Sequence, residues 1–415
     1  MKIAMIVRRL DVKGGTQRQA LSLANELRRR GHAVKLYAFF YSRERCYTDL
    51  LEGFEVTALN ASIQPAGYSA LRRLPFLRYL ATLWEIRHET RLARELAAKI
   101  NRDVDLLNPH DRVAHRVAFF FKKQAAGSEK RPPSVWNTND THSIRWVMDK
   151  LADLDPAAAP SFLKRLGLRF RDWYENRRYI AAQDAIVVVD GFNKGLVEKY
   201  FGREAITVRN GPDLEYFTYR ERMPPGARPK LLTSGIFFPH RRFEDAIQAV
   251  AMLRRSGFQP TLDIIGNPES DRPYAAKLER LVSELKLGDA VRFLGRVSEA
   301  ELVAAYQNHD IYLYPHHLQS DGLSPFEALA TGMAVVVSRG AGAHEVLTDR
   351  KTGLLVQPKS PGDIARAVRE LMADPELYRR LSRDGADFVR SNFSWQRYAD
   401  GMLRVYERAL RSKPQ

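Results

Sequence analysis

The segment from Tyr312 to Leu347 constrains the fold most, because it changes structural type several times within a short length. An apolar strand ends at Pro315, a helix is predicted over Phe326–Thr331, and Ala334–Val337 reads as a buried strand. A strand–helix–strand passage of this kind requires a parallel sheet. It places the start of the helix beside the carboxyl ends of the strands, where open α/β sheets bind anionic ligands.

The same alternation of apolar strands and amphipathic helices runs through most of the 415 residues. That length favours two domains. The segment from Tyr219 to Pro229, with three prolines and a glycine among charged residues, is the best linker candidate. After it the pattern restarts, with strands predicted over Lys230–Ser234 and Thr261–Ile265 and a helix over Phe243–Arg255 between them. The sequence therefore predicts a second parallel sheet with helices on both faces.

The first domain begins with a short strand, a glycine pair at Gly14 and Gly15, and a helix that Gly31 stops. This is the entry to a nucleotide-binding-like fold. Arg18 and Gln19 stand where a third glycine of the G-x-G-x-x-G fingerprint should be, and no acidic residue closes the second strand, so a dinucleotide cofactor is not predicted. The glycine pair remains suited to a close approach by a phosphate.

Polar residues at predicted strand ends are the candidate functional groups. His110 follows a strand predicted over Val104–Leu107, although a lone loop histidine is more often ordinary. Arg241 and Arg242 follow the first strand of the second sheet, where guanidinium groups suit a diphosphate, unless they are merely solvated loop charges.

The helix start at Ser324-Pro-Phe-Glu327 also fits a capping box, with Ser324 as N-cap and Glu327 as its partner. The structural and the ligand-binding interpretations therefore stand side by side. Asp103 and Asp105 begin a strand, at the end away from the ligand-binding edge, and we do not interpret them as a metal site.

Composition indicates a reducing compartment. Cys46 is the single cysteine, the N-terminus has too short an apolar run for a secretory signal, and no apolar run is long enough to span a membrane. We expect a cytoplasmic protein, located in part at the inner face of the cytoplasmic membrane.

The net charge of +17 lies mainly in the first half. Residues 1–200 hold 35 Lys+Arg and 22 Asp+Glu, a net of +13, so the remainder carries +4. Nucleic acid, anionic lipid and phosphorylated acceptors are all compatible with this excess, as are solvated arginine-rich helices. The stretch from Leu71 to Trp84 interleaves basic and large apolar side chains and would suit a membrane surface, or a hairpin packed on its own domain.

Taken in order, these motifs resemble the retaining, nucleotide-sugar-dependent glycosyltransferases of family 4. The resemblance covers nearly the whole chain, from Gly14-Gly15-Thr16 to the helix after Phe393-Ser-Trp395. It implies the GT-B fold class: α/β, with two facing Rossmann-like domains built on parallel sheets. The implied divisions are an acceptor-binding domain over 1–212, a nucleotide-sugar-binding domain over 213–393, and a C-terminal helix over 394–415 that packs back on the first domain.

The resemblance also implies roles for individual residues. Glu327 matches the second glutamate of the family's Glu-x7-Glu motif, which holds the ribose hydroxyls, and Arg241 matches the basic residue on the diphosphate. His110 matches the histidine near the reaction centre. The remaining implied donor-binding residues are Gly14, Gly15, Arg242, Gly295, Arg296, Gln319, Asp321, Gly322, Leu323 and Ser324.

This chain departs from the family pattern at two positions of the donor site. The first glutamate of the motif is the neutral Gln319, with Asp321 close enough to be a substitute. The second arginine usual in the family is Ile236 here, which leaves Arg241 and Arg242 to neutralise the diphosphate.

The implied function is retaining transfer of a sugar from a UDP- or GDP-linked donor to a hydroxyl acceptor, in cell-surface glycan or glycolipid synthesis. We expect no metal and no cofactor besides the donor, and no nucleic-acid partner. Two alternatives are an epimerase or phosphorylase on the same fold, and a basic RNA- or membrane-binding protein with a degenerate donor site.

Overall fold

The computed structural model describes residues 1–62, 65, 68, 78–125, 131–141, 143–154 and 162–412. The chain divides into two compact units. The first comprises Met1–Val189, Asn193–Arg209 and Trp395–Gln415, and the second comprises Asp190–Phe192 and Asn210–Ser394. Each unit is built on one parallel sheet, which confirms the predicted α/β class.

The sheet of the first unit has seven strands in the order β3-β2-β1-β4-β5-β6-β7, and that of the second has six in the order β10-β9-β8-β11-β12-β13. In chain order the strands are β1 (Lys2–Leu10), β2 (Ala33–Tyr41), β3 (Val56–Ala58), β4 (Leu106–His110), β5 (Val135–Asn137), β6 (Ala185–Val188), β7 (Ile206–Thr207), β8 (Lys230–Ser234), β9 (Thr261–Ile265), β10 (Val291–Gly295), β11 (Ile311–Tyr314), β12 (Ala334–Ser338) and β13 (Leu354–Val356).

Helices connect these strands. In chain order they are α1 (Gly15–Arg29), α2 (Arg78–Ala98), α3 (Ala114–Gln124), α4 (Ile144–Leu154), α5 (Phe162–Glu175), α6 (Gly191–Phe201), α7 (Phe243–Arg255), α8 (Arg272–Glu284), α9 (Glu299–Asn308), α10 (Ser324–Ala330), α11 (Pro361–Ala373), α12 (Pro375–Asn392) and α13 (Trp395–Arg411). A short π-helix, Asn176–Ile180, continues α5.

The strand order reverses between β1 and β4 in the first sheet and between β8 and β11 in the second. At such a reversal the connecting helices leave in opposite directions and open a crevice at the carboxyl ends of the strands. His110 ends β4, and Arg241 lies in the segment that follows β8. The fold therefore brings a candidate residue to the crevice of each unit.

The last helix, α13, belongs to the first unit. Its inward face buries Tyr398, Met402 and Tyr406. On its outer side Asp400 forms an ion pair with Arg30 at 2.7 Å. The amphipathic pattern of the helix, with one buried stripe along its length, explains why it docks rather than extending as a tail.

The proline-rich segment 219–229 has no helix or strand, yet it is anchored to the second unit. Arg222 is 8% exposed, and its guanidinium donates to the carbonyl oxygens of Tyr306, Gln307, His309 and Thr331 at 2.7–3.2 Å. Burial lowers the pKa of Arg222. The sequence could not predict this, because the carbonyl groups that hold the guanidinium come from distant parts of the chain.

The basic stretch over Leu71–Trp84 lies largely outside the described residues. Trp84 itself is 40% exposed. No helix in the described part of the chain is both long and apolar enough to cross a membrane.

Candidate donor site and reaction centre

Arg241 lies at the crevice of the second unit, between the ends of β8 and β11. Its Nη1 donates to Nδ1 of His316 at 3.1 Å. A Cβ atom added to Gly235 would lie 3.4 Å from Cδ of Arg241 and 3.6 Å from Cε1 of His316. Gly235 therefore lies directly against the arginine and histidine side chains at the strand end.

Arg241 and Arg242 are in different electrostatic situations. Arg242 is bound by the Asp245 carboxylate through Nη2 at 2.6 Å and Nε at 2.9 Å, and by Glu244 at 3.1 Å. Burial acts to lower the pKa of Arg242, but the two carboxylates outweigh it and the pKa is raised. Arg241 has no carboxylate partner in the described residues, and its Nε is buried without a hydrogen bond there. Arg241 is the guanidinium left to meet an anion.

Gly322 lies against Tyr314, the last residue of β11. Its φ of 68° is left-handed, and an added Cβ would be 2.3 Å from the Tyr314 hydroxyl. That hydroxyl is fully buried and has no hydrogen-bond partner among the described residues, and burial raises its pKa. The Tyr314 ring lies 3.8 Å from the His316 ring, centroid to centroid. Arg241, His316, Tyr314 and Gly322 thus form one continuous group.

The loop ahead of Gly322 is held by a buried carboxylate that the sequence did not single out. Asp190, fully buried, accepts a hydrogen bond from the backbone N–H of Asp321 at 2.7 Å. The side chain of Gln319 donates to the Ser320 hydroxyl at 2.9 Å. The backbone carbonyl of Gln319 accepts from the Gly342 N–H at 2.8 Å. Asp190 follows a strand end, which was the signal available for finding it.

The predicted capping box at α10 is wrong. The N-cap is Leu323, and no side chain caps the helix. Glu327, 7% exposed, instead accepts a hydrogen bond from the Tyr306 hydroxyl at 3.0 Å. The carboxylate is turned inward because a buried donor is available there, and a buried carboxylate left without such a donor would be costly. The pKa of Tyr306 is raised well above its usual value by burial and by the nearby Glu327 charge.

Gly295 and Arg296 lie at the end of β10, two strands away from β8. The carbonyl of Gly295 accepts from the N–H of Gly266, which ends β9, at 3.0 Å. A Cβ on Gly266 would lie 2.0 Å from the Gly235 carbonyl oxygen, so the backbones approach too closely for any side chain at Gly266. Arg296 is exposed. The strand ends therefore form one edge, with Arg241 after β8 and Arg296 after β10.

In the first unit, His110 is the last residue of β4 and not a loop residue after it, as the sequence had suggested. It is fully buried, and its Nε2 lies 2.8 Å from Oδ1 of Asn108. Strand β4 extends past its predicted end, since Pro109 is still paired with Ile6 of β1. Burial lowers the pKa of His110 to about 3, so the ring is neutral at physiological pH.

Asn108 is the centre of a buried network that the sequence analysis missed. Its Oδ1 accepts from the Tyr406 hydroxyl at 2.8 Å as well as facing His110, and its Nδ2 donates to Asn137 Oδ1 at 2.9 Å. Asn137 donates in turn to the Tyr398 hydroxyl at 2.7 Å. Because Oδ1 of Asn108 can only accept, His110 carries its proton on Nε2 and presents Nδ1 as an acceptor. Asparagines inside apolar strands were the available signal.

Gly14 and Gly15 form the start of α1 in the first unit. Gly14 is the N-cap, in extended conformation, and no side chain caps the helix. A Cβ on Gly15 would meet nothing within 4 Å, which leaves open space at the first turn. The open space is at Gly15, whereas the side chain of Gln17 lies over Gly14, 2.7 Å from where its Cβ would be.

Asp103 and Asp105, which precede β4, lie away from the carboxyl edge of the sheet. Lys2 binds Asp103 through its ammonium group and Asp105 through its backbone N–H, both at 2.6 Å, at the amino end of the strand. In the described residues no group of three or more His, Cys, Asp or Glu is arranged to hold a metal ion.

Two α/β units, each with a parallel sheet and with candidate residues at the carboxyl edge, define the GT-B class of glycosyltransferases. The model of Glycosyltransferase Family 4 matches residues 13–216, and that of Glycosyl transferases group 1 matches residues 219–388. The GDP-mannose-dependent alpha-(1-6)-phosphatidylinositol dimannoside mannosyltransferase of Mycobacterium tuberculosis is 30% identical over 271 residues, which are 63% of this chain and 67% of that protein. The chain belongs to glycosyltransferase family 4.

Other similarities are partial or structural. A glycogen synthase of Mycobacterium tuberculosis is 28% identical over 239 residues, and the match spans 57% of each protein. The solved structure of Anabaena HepE with UDP and glucose is 15% identical, has a TM-score of 0.69, and covers 98% of this chain and all of its own. At that identity the likeness establishes the fold.

Proposed function

We propose that this protein transfers a sugar from a UDP- or GDP-linked donor to a hydroxyl acceptor, with retention at the anomeric carbon. The observation that carries the proposal is Arg241, a guanidinium without a carboxylate partner in the described residues, at the reversal of strand order in the second unit. Family membership supports it. So do the names of the relatives, one a GDP-mannose-dependent enzyme and one a structure that holds UDP and glucose.

The reaction requires that opposite charges be stabilised as the bond between sugar and diphosphate breaks. Negative charge develops on the leaving phosphate, and Arg241 supplies a fixed positive charge there. The backbone of Gly322, Leu323 and Ser324 binds the distal phosphate and sugar, and Glu327 accepts hydrogen bonds from the ribose. A guanidinium in this role makes a metal ion unnecessary.

His110 acts as a hydrogen-bond acceptor in this mechanism and not as a base. A neutral imidazole whose Nε2–H faces Asn108 offers its Nδ1 lone pair to a sugar hydroxyl. The leaving phosphate oxygen takes the proton of the acceptor hydroxyl on the same face of the sugar, so no protein base is needed. Gly14 and Gly15 would admit a phosphate at the start of α1.

We further propose that the acceptor belongs to cell-surface glycan or glycolipid synthesis and is met at the inner face of the cytoplasmic membrane. The net charge of +13 in residues 1–200 supports this location, since anionic lipids attract basic surfaces. The name of one relative, a phosphatidylinositol dimannoside mannosyltransferase, also supports it, since phosphatidylinositol is a lipid.

A donor panel tests the proposed reaction. Nucleotide sugars are first scored by thermal stabilisation, because a bound ligand raises stability by mass action. The stabilising donor is then incubated with candidate acceptors, and the anomeric configuration of the product is determined by NMR. We expect transfer with retention. An inverted product would contradict the proposed stereochemistry, and donor consumption without any acceptor would indicate an epimerase or phosphorylase instead.

A further inference from the structure

Helix α5 distributes its side chains in the reverse of the usual way, with its carboxylates inside. Asp172 is 5% exposed and accepts hydrogen bonds from the Ser143 hydroxyl at 2.6 Å and from the backbone N–H groups of Ile144 and Arg145 at 2.9 and 3.1 Å. Glu175 accepts from Arg116 at 2.7 Å. These contacts determine which side of α5 packs against the rest of the first unit.

The opposite side of α5 exposes large apolar side chains. Leu166, Phe170 and Trp173 are 58%, 65% and 55% exposed. Their spacing of four and three residues puts them on one stripe of the helix. The rings of Phe170 and Trp173 lie 5.6 Å apart, centroid to centroid, so they form one continuous apolar surface. A surface helix normally buries such a stripe and exposes its carboxylates.

Arginines border this stripe. Arg169 lies within the helix and Arg177 in the π-helix that follows, and both are exposed. Neither forms an ion pair with a carboxylate in the part of the chain that the structure describes. Leu166, Arg169, Phe170, Trp173 and Arg177 together are called the aromatic–arginine face below.

We propose that the aromatic–arginine face docks on a bilayer that contains anionic lipid. Tryptophan and phenylalanine are stabilised at the boundary between headgroups and acyl chains, and exposed guanidinium groups bind lipid phosphates. The face carries positive charge beside its apolar stripe, which complements an anionic membrane surface. The inference rests on the proposed function in one respect: membrane binding would hold the enzyme at its acceptor. The binding itself needs neither donor nor acceptor.

Co-sedimentation with vesicles tests the proposal. The full chain is mixed with vesicles of phosphatidylcholine alone or of phosphatidylcholine with phosphatidylglycerol. We expect binding to the anionic vesicles that weakens with added salt. Arg169→Gln combined with Arg177→Gln should lower the partition coefficient about 30-fold, because each basic residue near an anionic surface contributes about a factor of five. Phe170→Ser combined with Trp173→Ser should lower it at least about tenfold.

Matched controls separate the face from general charge and stability. Arg255→Gln combined with Arg380→Gln removes the same charge from exposed positions of the second unit, and Met223→Ser removes a side chain that is 76% exposed there. Both should bind as the wild type does. Vesicle binding by the aromatic variant equal to that of the wild type would overturn the proposal, as would failure of the wild type to bind. A wild-type dimer that the aromatic variant dissociates, without lipid binding, would show that the face joins two copies.

Nucleotide binding in the second unit is measured on the same variants. It should not change, since the face belongs to the first unit. Failure of vesicle binding with nucleotide binding intact would reject the membrane face and leave the proposed reaction standing.

Discussion

At the scale of single residues, the most informative feature is the protonation of His110. Burial lowers its pKa to about 3, from an ordinary value of 6.5. The unfolded chain therefore binds more protons than the folded one between these two values. The stabilising contribution of the neutral ring is complete above pH 6.5 and is lost as the pH falls toward 3.

We predict that the ring of His110 does not titrate between pH 5 and 8, as followed by NMR of histidine-labelled protein. The histidine contribution to the free energy of unfolding should fall by about 1.4 kcal/mol for each pH unit below 6.5. His110→Gln, which lacks a titratable ring, should remove that part of the pH dependence in urea unfolding. A His110 midpoint near 6.5 would contradict both the burial and the proposed role as a neutral acceptor.

The sequence alone identified some of the candidate site residues. The others could be told apart only by the hydrogen-bond partners that the structure gives them. Arg241 and Arg242 are adjacent and chemically alike, so the sequence could not distinguish them. The structure distinguishes them, because Asp245 and Glu244 bind Arg242 and not Arg241. Likewise Ser324 and Glu327 have the spacing of a capping box, but a buried tyrosine from α9 takes the carboxylate. Such long-range partners are outside any local pattern.

At the scale of elements, β4 and α13 together build the buried network around His110. The Tyr406 hydroxyl on α13 is a donor to Asn108, and Asn108 fixes the proton of His110 on Nε2. The last helix thus helps to hold the Asn108 amide with its oxygen toward His110. Tyr406 acts through Asn108, as a positioning residue.

Tyr406→Phe should release Asn108 Oδ1 from one donor, destabilise the first unit by about 1 kcal/mol, and lower the rate of transfer at saturating donor. The ¹⁵N signals of the His110 ring should shift toward a mixture of tautomers. Tyr398→Phe is the matched control on the same helix, because the Tyr398 hydroxyl contacts Asn137 and not Asn108. If both variants lose equal stability and neither changes the His110 signals, the positioning role is wrong.

Three elements could be predicted to the residue: β8, β9 and α7. All of these have clear apolar periodicity and end at a glycine, a proline or a polar residue. The ends of β1 and β4 were predicted too short, since Arg8, Arg9, Asn108 and Pro109 are unusual in buried parallel strands. The residue pattern of helix α5 could not show that its carboxylates face inward.

At the scale of the whole molecule, the candidate residues are divided between the two units. The second unit carries Arg241 and the loop with Gly322, and the first carries His110 and the aromatic–arginine face. The resemblance matches Gln319 to the first glutamate of the family motif, and the Gln319 side chain donates to the Ser320 hydroxyl. It is the position at which we expect the donor preference of this protein to differ most from that of its relatives.

The measurement that tests the central claim most directly is isothermal titration of UDP and of GDP into three proteins: the wild type, Arg241→Ala and Arg242→Ala. We predict that the wild type binds at least one of the two nucleotides. Arg241→Ala should bind it roughly 10- to 100-fold more weakly, since a charge-assisted bond to the diphosphate contributes about 1.5–3 kcal/mol. Arg242→Ala should bind nearly as the wild type does, because its charge is already compensated. No binding of either nucleotide at millimolar concentration, or equal binding by all three proteins, would contradict the assignment of Arg241 to the donor diphosphate.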